Sequence, residues 1–109
     1  MSSQIEDQFH AAMLNIYERG THLKPPYRAT RFLQMVQGQG GKVAADQLLA
    51  ASNPSSGFTE LYLRGAENLK ISVEYLVLQR PWSSLFSAEQ LAVARKRLLA
   101  VGVEFPDGS

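Results

Sequence analysis

The chain has 109 residues, of which 45% are hydrophobic and 19% are charged, and it contains no cysteine. This length suits one domain with a core of its own. The absence of cysteine excludes thiol catalysis, disulfide frameworks and cysteine-ligated zinc. Eleven lysines and arginines against ten acids give a net charge of +1, so the whole chain carries no charge signature of a nucleic-acid or acidic-lipid partner.

The N-terminus shows no targeting signal. Its first nine residues are mainly polar and include Glu6 and Asp7, whereas a secretory signal needs a positive start and an apolar stretch. Strictly apolar runs reach at most four residues, as at 98–101, far short of the ~20 that span a bilayer. We therefore expect a cytoplasmic protein with no membrane partner.

Helical periodicity begins close to the N-terminus. Ser3 and Glu6 form a capping-box pattern. Apolar residues then recur at spacings of three and four, which predicts a helix ending near Gly20; they are Ile5, Phe9, Ala12, Met13 and Ile16. Pro25 and Pro26 next enforce an extended linker.

Three short helices are predicted in the middle of the chain. The first covers residues 27–36, buries Phe32, Met35 and Val36, and is ended by the glycine-rich residues 38–41. The second covers residues 42–51, which are rich in Ala and Leu. The third covers residues 58–64 and packs Phe58, Leu61 and Tyr62, with Pro54 suited to the first helical position and Gly65 as its end.

The run at residues 71–78 has two interpretations. Its β-branched content suits a strand. A helix is favoured because Ser72 can cap it, Glu74 suits a first turn, and Val73 then shares a face with Leu76 and Val77.

The last helix has the clearest start signal in the sequence. Ser87 is the expected N-cap, Gln90 completes a capping box, and Phe86 can pack on Leu91. The helix should run to about Val101 and stop at Gly102. Its last two turns hold Arg95, Lys96 and Arg97, where cations oppose the negative end of the helix dipole.

These elements predict an all-α protein, a compact orthogonal bundle of five to six short helices. Residues 1–102 are expected to form a single domain, and residues 103–109 a flexible C-terminal tail.

Charge is unevenly distributed along the chain. Residues 19–42 contain five cations and no acid, which are Arg19, Lys24, Arg28, Arg31 and Lys42. If these cations converge, they form a local basic face that could bind nucleic acid, together with Arg64. The alternative is an ordinary solvated surface neutralised by Glu18, Asp46 or Glu60.

Two apparent nucleic-acid or nucleotide motifs are weak. The glycines before Lys42 resemble a phosphate loop, but Val43 follows where Ser or Thr is needed and no strand precedes it. The helices at 42–64 could form a helix-turn-helix. Its second helix would carry Glu60, which phosphate repels, and few base-reading side chains.

Groups that could perform catalysis or bind a metal are scarce. His10 and His22 lie on different elements without metal-ligand spacing, and His10 with Glu6 is an ordinary surface pair. No serine lies in a nucleophile-elbow motif. We therefore expect no enzyme activity, no cofactor and no metal.

Trp82 and Tyr75 bring aromatic side chains to the second half of the chain. Trp82 follows Pro81 and is expected to fill the core between helices. The alternative is an exposed anchor for a protein partner, with Tyr75 beside it, because tryptophan is enriched in binding hot spots.

The motifs of the second half form a recognisable pattern. It comprises residues 57–61, 69–78, Trp82, residues 85–86 and residues 94–98, with residues 27–32 upstream. In this pattern the chain resembles a group of small uncharacterised bacterial proteins over residues 5–102. The resemblance implies a bacterial, cytoplasmic protein and no named activity or catalytic residue.

Together these observations predict a non-enzymatic helical module that acts through protein–protein contacts, including self-association. The alternative is a nucleic-acid-binding protein that uses the basic residues of 19–42, with or without the helix-turn-helix.

Overall fold

The computed structural model describes residues 4–104, in which six α-helices and two 3₁₀ segments follow one another. The helices are α1 (Gln4–Thr21), α2 (Thr30–Gln39), α3 (Gly41–Ala50), α4 (Ser56–Leu63), α5 (Val73–Val77) and α6 (Ala88–Ala100). The first 3₁₀ segment (Ala66–Ile71) joins α4 to α5, and the second (Trp82–Leu85) joins α5 to α6. No strand occurs within residues 4–104, so the all-α prediction is confirmed.

Serine caps set the starts of the later helices. Ser72 accepts a hydrogen bond from the Tyr75 amide at 3.2 Å, and a helix follows it, as predicted. Ser87 and Gln90 form both bonds of the capping box, at 2.9 and 3.1 Å. The start of α4 differs from the prediction. Ser55 caps this helix by accepting from the Phe58 amide, so Pro54 lies before the cap and not at the first helical position.

The start of α2 is also later than predicted. The Tyr27 amide donates to the Gly20 carbonyl at 2.9 Å, which closes the connection between α1 and α2 and keeps Tyr27 out of the helix. At its other end, α2 continues through Gly38 and stops at Gly40, whose φ of +91° suits glycine. The Gly40 amide donates to the Val36 carbonyl, and α3 begins immediately afterwards.

All six helices and the first 3₁₀ segment contribute buried side chains to the core. Its fully buried large side chains are Phe9, Met13, Val36, Leu69, Val77 and Leu98. The Phe9 ring meets the Trp82 and Phe86 rings edge-on, with centroids 5.7 and 5.4 Å apart. These contacts join the N-terminal helix to the segment before α6.

Helices α1 and α3 approach each other very closely. A Cβ atom on Gly41 would lie 2.8 Å from the Cα atom of His10. The Gly41 amide donates to Nδ1 of His10 at 2.9 Å, so this ring is half-buried and bonded to the backbone of α3. The sequence pattern predicts His10 to be a surface residue paired with Glu6. The prediction of an exposed position is wrong, because the structure leaves His10 half-buried.

Two predicted features, a capping box and a tail, fall at the ends of the chain. The Ser3–Glu6 capping box and residues 105–109 of the predicted tail lie outside the described residues. Val103, which the sequence placed in the tail, is only 8% exposed, and its amide donates to the Leu98 carbonyl. The radius of gyration, 12.8 Å, is what a compact domain of about 100 residues has.

Candidate binding site

An apolar pocket of about 190 Å³ opens between α1, α2, α4 and the start of α5. Its wall is mainly hydrophobic and includes Ile16, Phe32, Met35, Leu48, Phe58 and Leu61. An engineered protein cavity of roughly 150 Å³ holds a benzene molecule. The pocket therefore has room for one aromatic ring or one branched aliphatic group.

Several polar groups of the wall already have partners within the protein. The Ser55 hydroxyl caps α4, and the Ser72 hydroxyl donates to the Leu69 carbonyl at 2.6 Å while it caps α5. The Glu74 carboxylate pairs with Arg97 at 3.0 Å. Three wall residues have side-chain polar groups without a described hydrogen bond or ion pair: Arg31 and Ser56, which are exposed, and Tyr27, which is half-buried.

Tyr27 is held in place by α4. The Arg64 guanidinium lies 5.2 Å from the centre of the Tyr27 ring, a cation–π distance. Arg64 also donates to the carbonyls of Pro25 and Pro26, at 2.7 and 3.3 Å, and pairs with Glu60 at 2.7 Å. Burial, with the Glu60 charge, raises the pKa of Tyr27, and Arg64 opposes this in part. Its phenol is therefore protonated at neutral pH and can donate a hydrogen bond.

The structure divides the predicted basic residues into two groups. Lys42 contacts both carboxylate oxygens of Asp46 at 2.8 Å and lies 4.9 Å from the centre of the Phe86 ring. Arg64 is engaged as described above, with a side chain only 13% exposed. The other four are exposed, and within residues 4–104 their side chains form no ion pair; we call Arg19, Lys24, Arg28 and Arg31 the cationic rim.

The cationic rim lies next to pocket residues along the chain, and one of its members lines the pocket. Gly20 and Tyr27 both line the pocket, and the hydrogen bond between their backbones brings their chain neighbours Arg19 and Arg28 together. Lys24 lies in the connection that this bond closes, and Arg31 is itself a wall residue. Four of the five cations of residues 19–42 thus belong to the part of the chain that lines the pocket or closes the connection beside it.

Trp82 and Tyr75, the candidate protein-binding aromatics, are both half-buried and pack against the core. The most exposed large hydrophobic side chains are on other helices, with Leu63 70% and Leu99 59% exposed. Tyr62, predicted to pack inward, is 43% exposed.

The candidate helix-turn-helix corresponds to α3 and α4. Helix α3 packs on α1, α2 and α6, and helix α4 packs on the first 3₁₀ segment.

The sequence missed a buried ion pair. It placed Glu74 as a first-turn acid and Arg97 as a cation opposing the dipole of α6, but both side chains are more than nine-tenths buried. Arg97 also donates to the carbonyls of Leu48 and Ala51, at 3.0 and 2.6 Å. Burial raises the pKa of Glu74 although Arg97 opposes the shift. An acid inside the apolar run 71–78 was the available signal.

The pocket itself was also missed. Phe32 and Met35 are predicted to be buried, whereas the structure leaves them half-buried in the pocket wall. The wall residues come from positions between Ile16 and Glu74, so no local sequence motif indicates the site. Among residues 4–104 there is no cluster of His, Asp and Glu that could hold a metal ion, and none of their helices is long and apolar enough to cross a membrane.

The fold and the site define a small all-α domain with an apolar pocket beside exposed cations. Comparisons with models of protein families, with curated proteins and with solved structures found no significant match. The resemblance to a group of small bacterial proteins, and the cytoplasmic location that it implies, therefore remain predictions.

Proposed function

We propose that this chain is a non-enzymatic binding module that acts through protein–protein contacts, and that its contact face is the pocket with the cationic rim. The observation that carries the proposal is an open apolar pocket with room for one side chain. A buried anchor side chain that enters such a pocket supplies much of the affinity of many protein interfaces. The exposed cations around it provide the polar periphery that interfaces share.

The polar groups of the pocket favour binding over catalysis. The Ser55 and Ser72 hydroxyls each accept a helix amide, and the Glu74 carboxylate is paired with Arg97. A catalytic serine instead needs a base within hydrogen-bond reach. Tyr27, Arg31 and Ser56 can orient a ligand, and no described hydrogen bond joins any of them to a base that would activate it as a nucleophile.

The test is a selection of short peptides by display against the purified chain and against an Ala29→Leu variant. Ala29 is a buried wall residue, so a leucine there fills part of the pocket without adding charge. We expect the unmodified chain to enrich peptides that share one bulky apolar residue, and the variant to lose this enrichment. Equal enrichment by two folded proteins would refute the proposal. Circular dichroism and thermal melting establish that the variant is folded, and Leu48→Phe provides a second way to fill the pocket.

Self-association is one form of protein contact that the same face could make. Sedimentation of the purified chain across a concentration range measures it directly. Dimers that dissociate in the Ala29→Leu variant would identify a second copy as the partner. Dimers that persist unchanged in this variant would place self-association on another face.

Nucleic acid is the second candidate partner, and the specific observation in its favour is the cationic rim. Fluorescence anisotropy with duplex DNA and with single-stranded RNA, at several salt concentrations, tests it. Nucleic-acid binding through the rim should fall steeply as salt rises, and Arg28→Ala with Arg31→Ala should weaken binding to all sequences alike. Absence of binding at low salt would eliminate this candidate.

A further inference from the structure

We propose that the partner segment is acidic, with one bulky apolar side chain that enters the pocket and a neighbouring carboxylate that pairs with Arg31. This inference rests on the proposed function, because it names the partner chemistry of the same site. Its basis is the placement of an unpaired guanidinium, that of Arg31, in the wall of a mainly apolar pocket.

The size of the pocket limits the anchor to one side chain. A volume of about 190 Å³ suits Phe, Leu, Ile or Met, and its wall is formed by aromatic and aliphatic groups such as Phe32, Met35 and Phe58. Such a wall offers an anchor dispersion contacts and removes its surface from water. A polar anchor would lose its water contacts here, because Ser72 and Glu74 are already bonded within the protein.

Charge determines what should lie beside the anchor. Residues 19–42 contain no acid, and Lys42, whose charge Asp46 neutralises, is not part of the rim. The rim therefore presents four exposed positive charges to a partner, and added salt screens their attraction. An acidic segment is attracted to this face, whereas a basic one is repelled.

Arg31 is the rim residue that can bind the carboxylate of the partner while the apolar anchor occupies the pocket. It is exposed, and it also lines the pocket, so a carboxylate next to an inserted anchor can reach it. A guanidinium binds a carboxylate through two parallel hydrogen bonds, which fixes direction as well as charge. The Tyr27 phenol, which Arg64 holds in the same wall, provides a further donor.

A nucleic acid fits these features less well than an acidic peptide. Its phosphates would meet the cationic rim, but single-stranded bases bind by stacking on exposed aromatic faces. The pocket aromatics Phe32, Phe58 and Tyr27 are half-buried or buried wall residues. The pocket therefore favours a side chain with free rotation over a base that is fixed to a backbone of phosphates.

The experiment uses a set of blocked synthetic peptides that carry one Phe and one Asp at several spacings, with acidic flanks. Each peptide has two matched relatives, one with Phe replaced by Ala and one with every acid replaced by its amide. Binding to the full chain is measured by NMR chemical-shift perturbation at low salt. We expect the tightest peptide to shift the amides of α2 and α4.

Removal of the anchor should weaken binding of the tightest peptide by roughly 10- to 100-fold, the effect of burying one large apolar side chain. Replacement of the acids by amides should weaken it several-fold, and added salt should reduce this difference. Arg31→Glu should reproduce the loss seen with the amide peptide. Lys96→Glu is the matched control, since Lys96 is exposed on α6 and outside this pocket, and it should bind as the unmodified chain does.

The outcomes separate the inference from the proposed function. If amide and acid peptides bind equally while the anchor still matters, the partner need not be acidic, and the inference fails although the proposed function stands. If Arg31→Glu and Lys96→Glu weaken binding alike, Arg31 has no special role and the inference also fails. If no peptide of the set binds, the inference fails. The proposed function fails with it only if the display selection also enriches no common anchor.

Discussion

Two regions of this molecule use arginine in opposite ways. In the buried seam, formed by Glu74, Arg97 and the carbonyls of Leu48 and Ala51, one guanidinium bonds to a carboxylate and to the end of α3. In the cationic rim, the guanidinium groups are exposed and form no ion pair within residues 4–104. A charged side chain therefore stabilises the fold only where its partners are fixed within the protein. The unpaired charges are those available to another molecule.

The buried seam joins three helices that are distant in sequence. Arg97 lies on α6, Glu74 on α5, and Leu48 and Ala51 at the end of α3, where helix carbonyls lack intrahelical partners. Arg97 therefore acts as a side-chain cap for α3 as well as an ion-pair partner. Every buried side-chain polar atom of the described residues has a hydrogen-bond partner, which is the condition under which a buried charge can be tolerated.

The largest effect should come from Arg97→Met. This change leaves the Glu74 carboxylate buried without its partner and leaves the Leu48 and Ala51 carbonyls without a donor. We expect the free energy of unfolding to fall by about 3–5 kcal/mol, measured by urea denaturation. Arg95→Met, on the same helix and only half-buried, is the control and should change it by less than about 0.5 kcal/mol. Equal losses of stability in the two variants would show that the bonds of Arg97 in the buried seam do not stabilise the fold.

Two glycine substitutions test the close contact of α1 and α3. Gly41→Ala places a Cβ atom 2.8 Å from the Cα atom of His10, and backbone cannot yield as a flexible side chain can. We expect a loss of about 1–3 kcal/mol, the usual cost of overpacking. Gly38→Ala has open space around its Cβ and lies in α2, so it should be neutral or stabilise by up to about 1 kcal/mol. Thermal unfolding of both variants makes the comparison, and a destabilised Gly38→Ala would contradict it.

Arg64 and Arg31 test the division of the basic residues into two groups. Arg64→Gln removes hydrogen bonds to Pro25, Pro26 and Glu60, so we expect stability to fall by about 1–2 kcal/mol. Arg31→Gln removes no described bond and should change stability by less than about 0.5 kcal/mol. Urea denaturation measures both. A larger loss at Arg31 than at Arg64 would mean that the rim helps to hold the fold.

The smallest effect concerns the Tyr27 phenol. Burial raises its pKa above the ordinary value of 10.0. The folded state therefore holds this proton more tightly than the unfolded state, and stability falls as the pH rises from about 10 through the raised pKa. The Tyr27→Phe variant should not show this loss of stability as the pH rises. An ultraviolet titration of tyrosine ionisation, as the difference between the two proteins, measures the pKa, and a midpoint at or below 10 would refute the prediction.

The sequence predicted the helices well where the signal is local. Caps at Ser72 and Ser87, the stop at Gly102 and the stripe containing Phe9 and Met13 each depend on residues within a few turns of one another. The start of α2 was misplaced because it depends on a bond between Tyr27 and Gly20, which a pattern within the helix does not record. The start of α4 was misplaced because Ser55 caps it and Pro54 lies outside.

Local patterns in the sequence establish a helical domain with a cation-rich segment at residues 19–42. They also permit the pairs Lys42–Asp46 and Glu60–Arg64, because each pair joins residues four apart on one helix. Packing between helices buries Arg97 against Glu74 and forms the pocket whose wall includes Arg31. The two kinds of contact differ in the distance along the chain that they join. Helix formation depends on neighbours three and four residues apart, whereas the pocket and the buried seam join residues that only packing brings together.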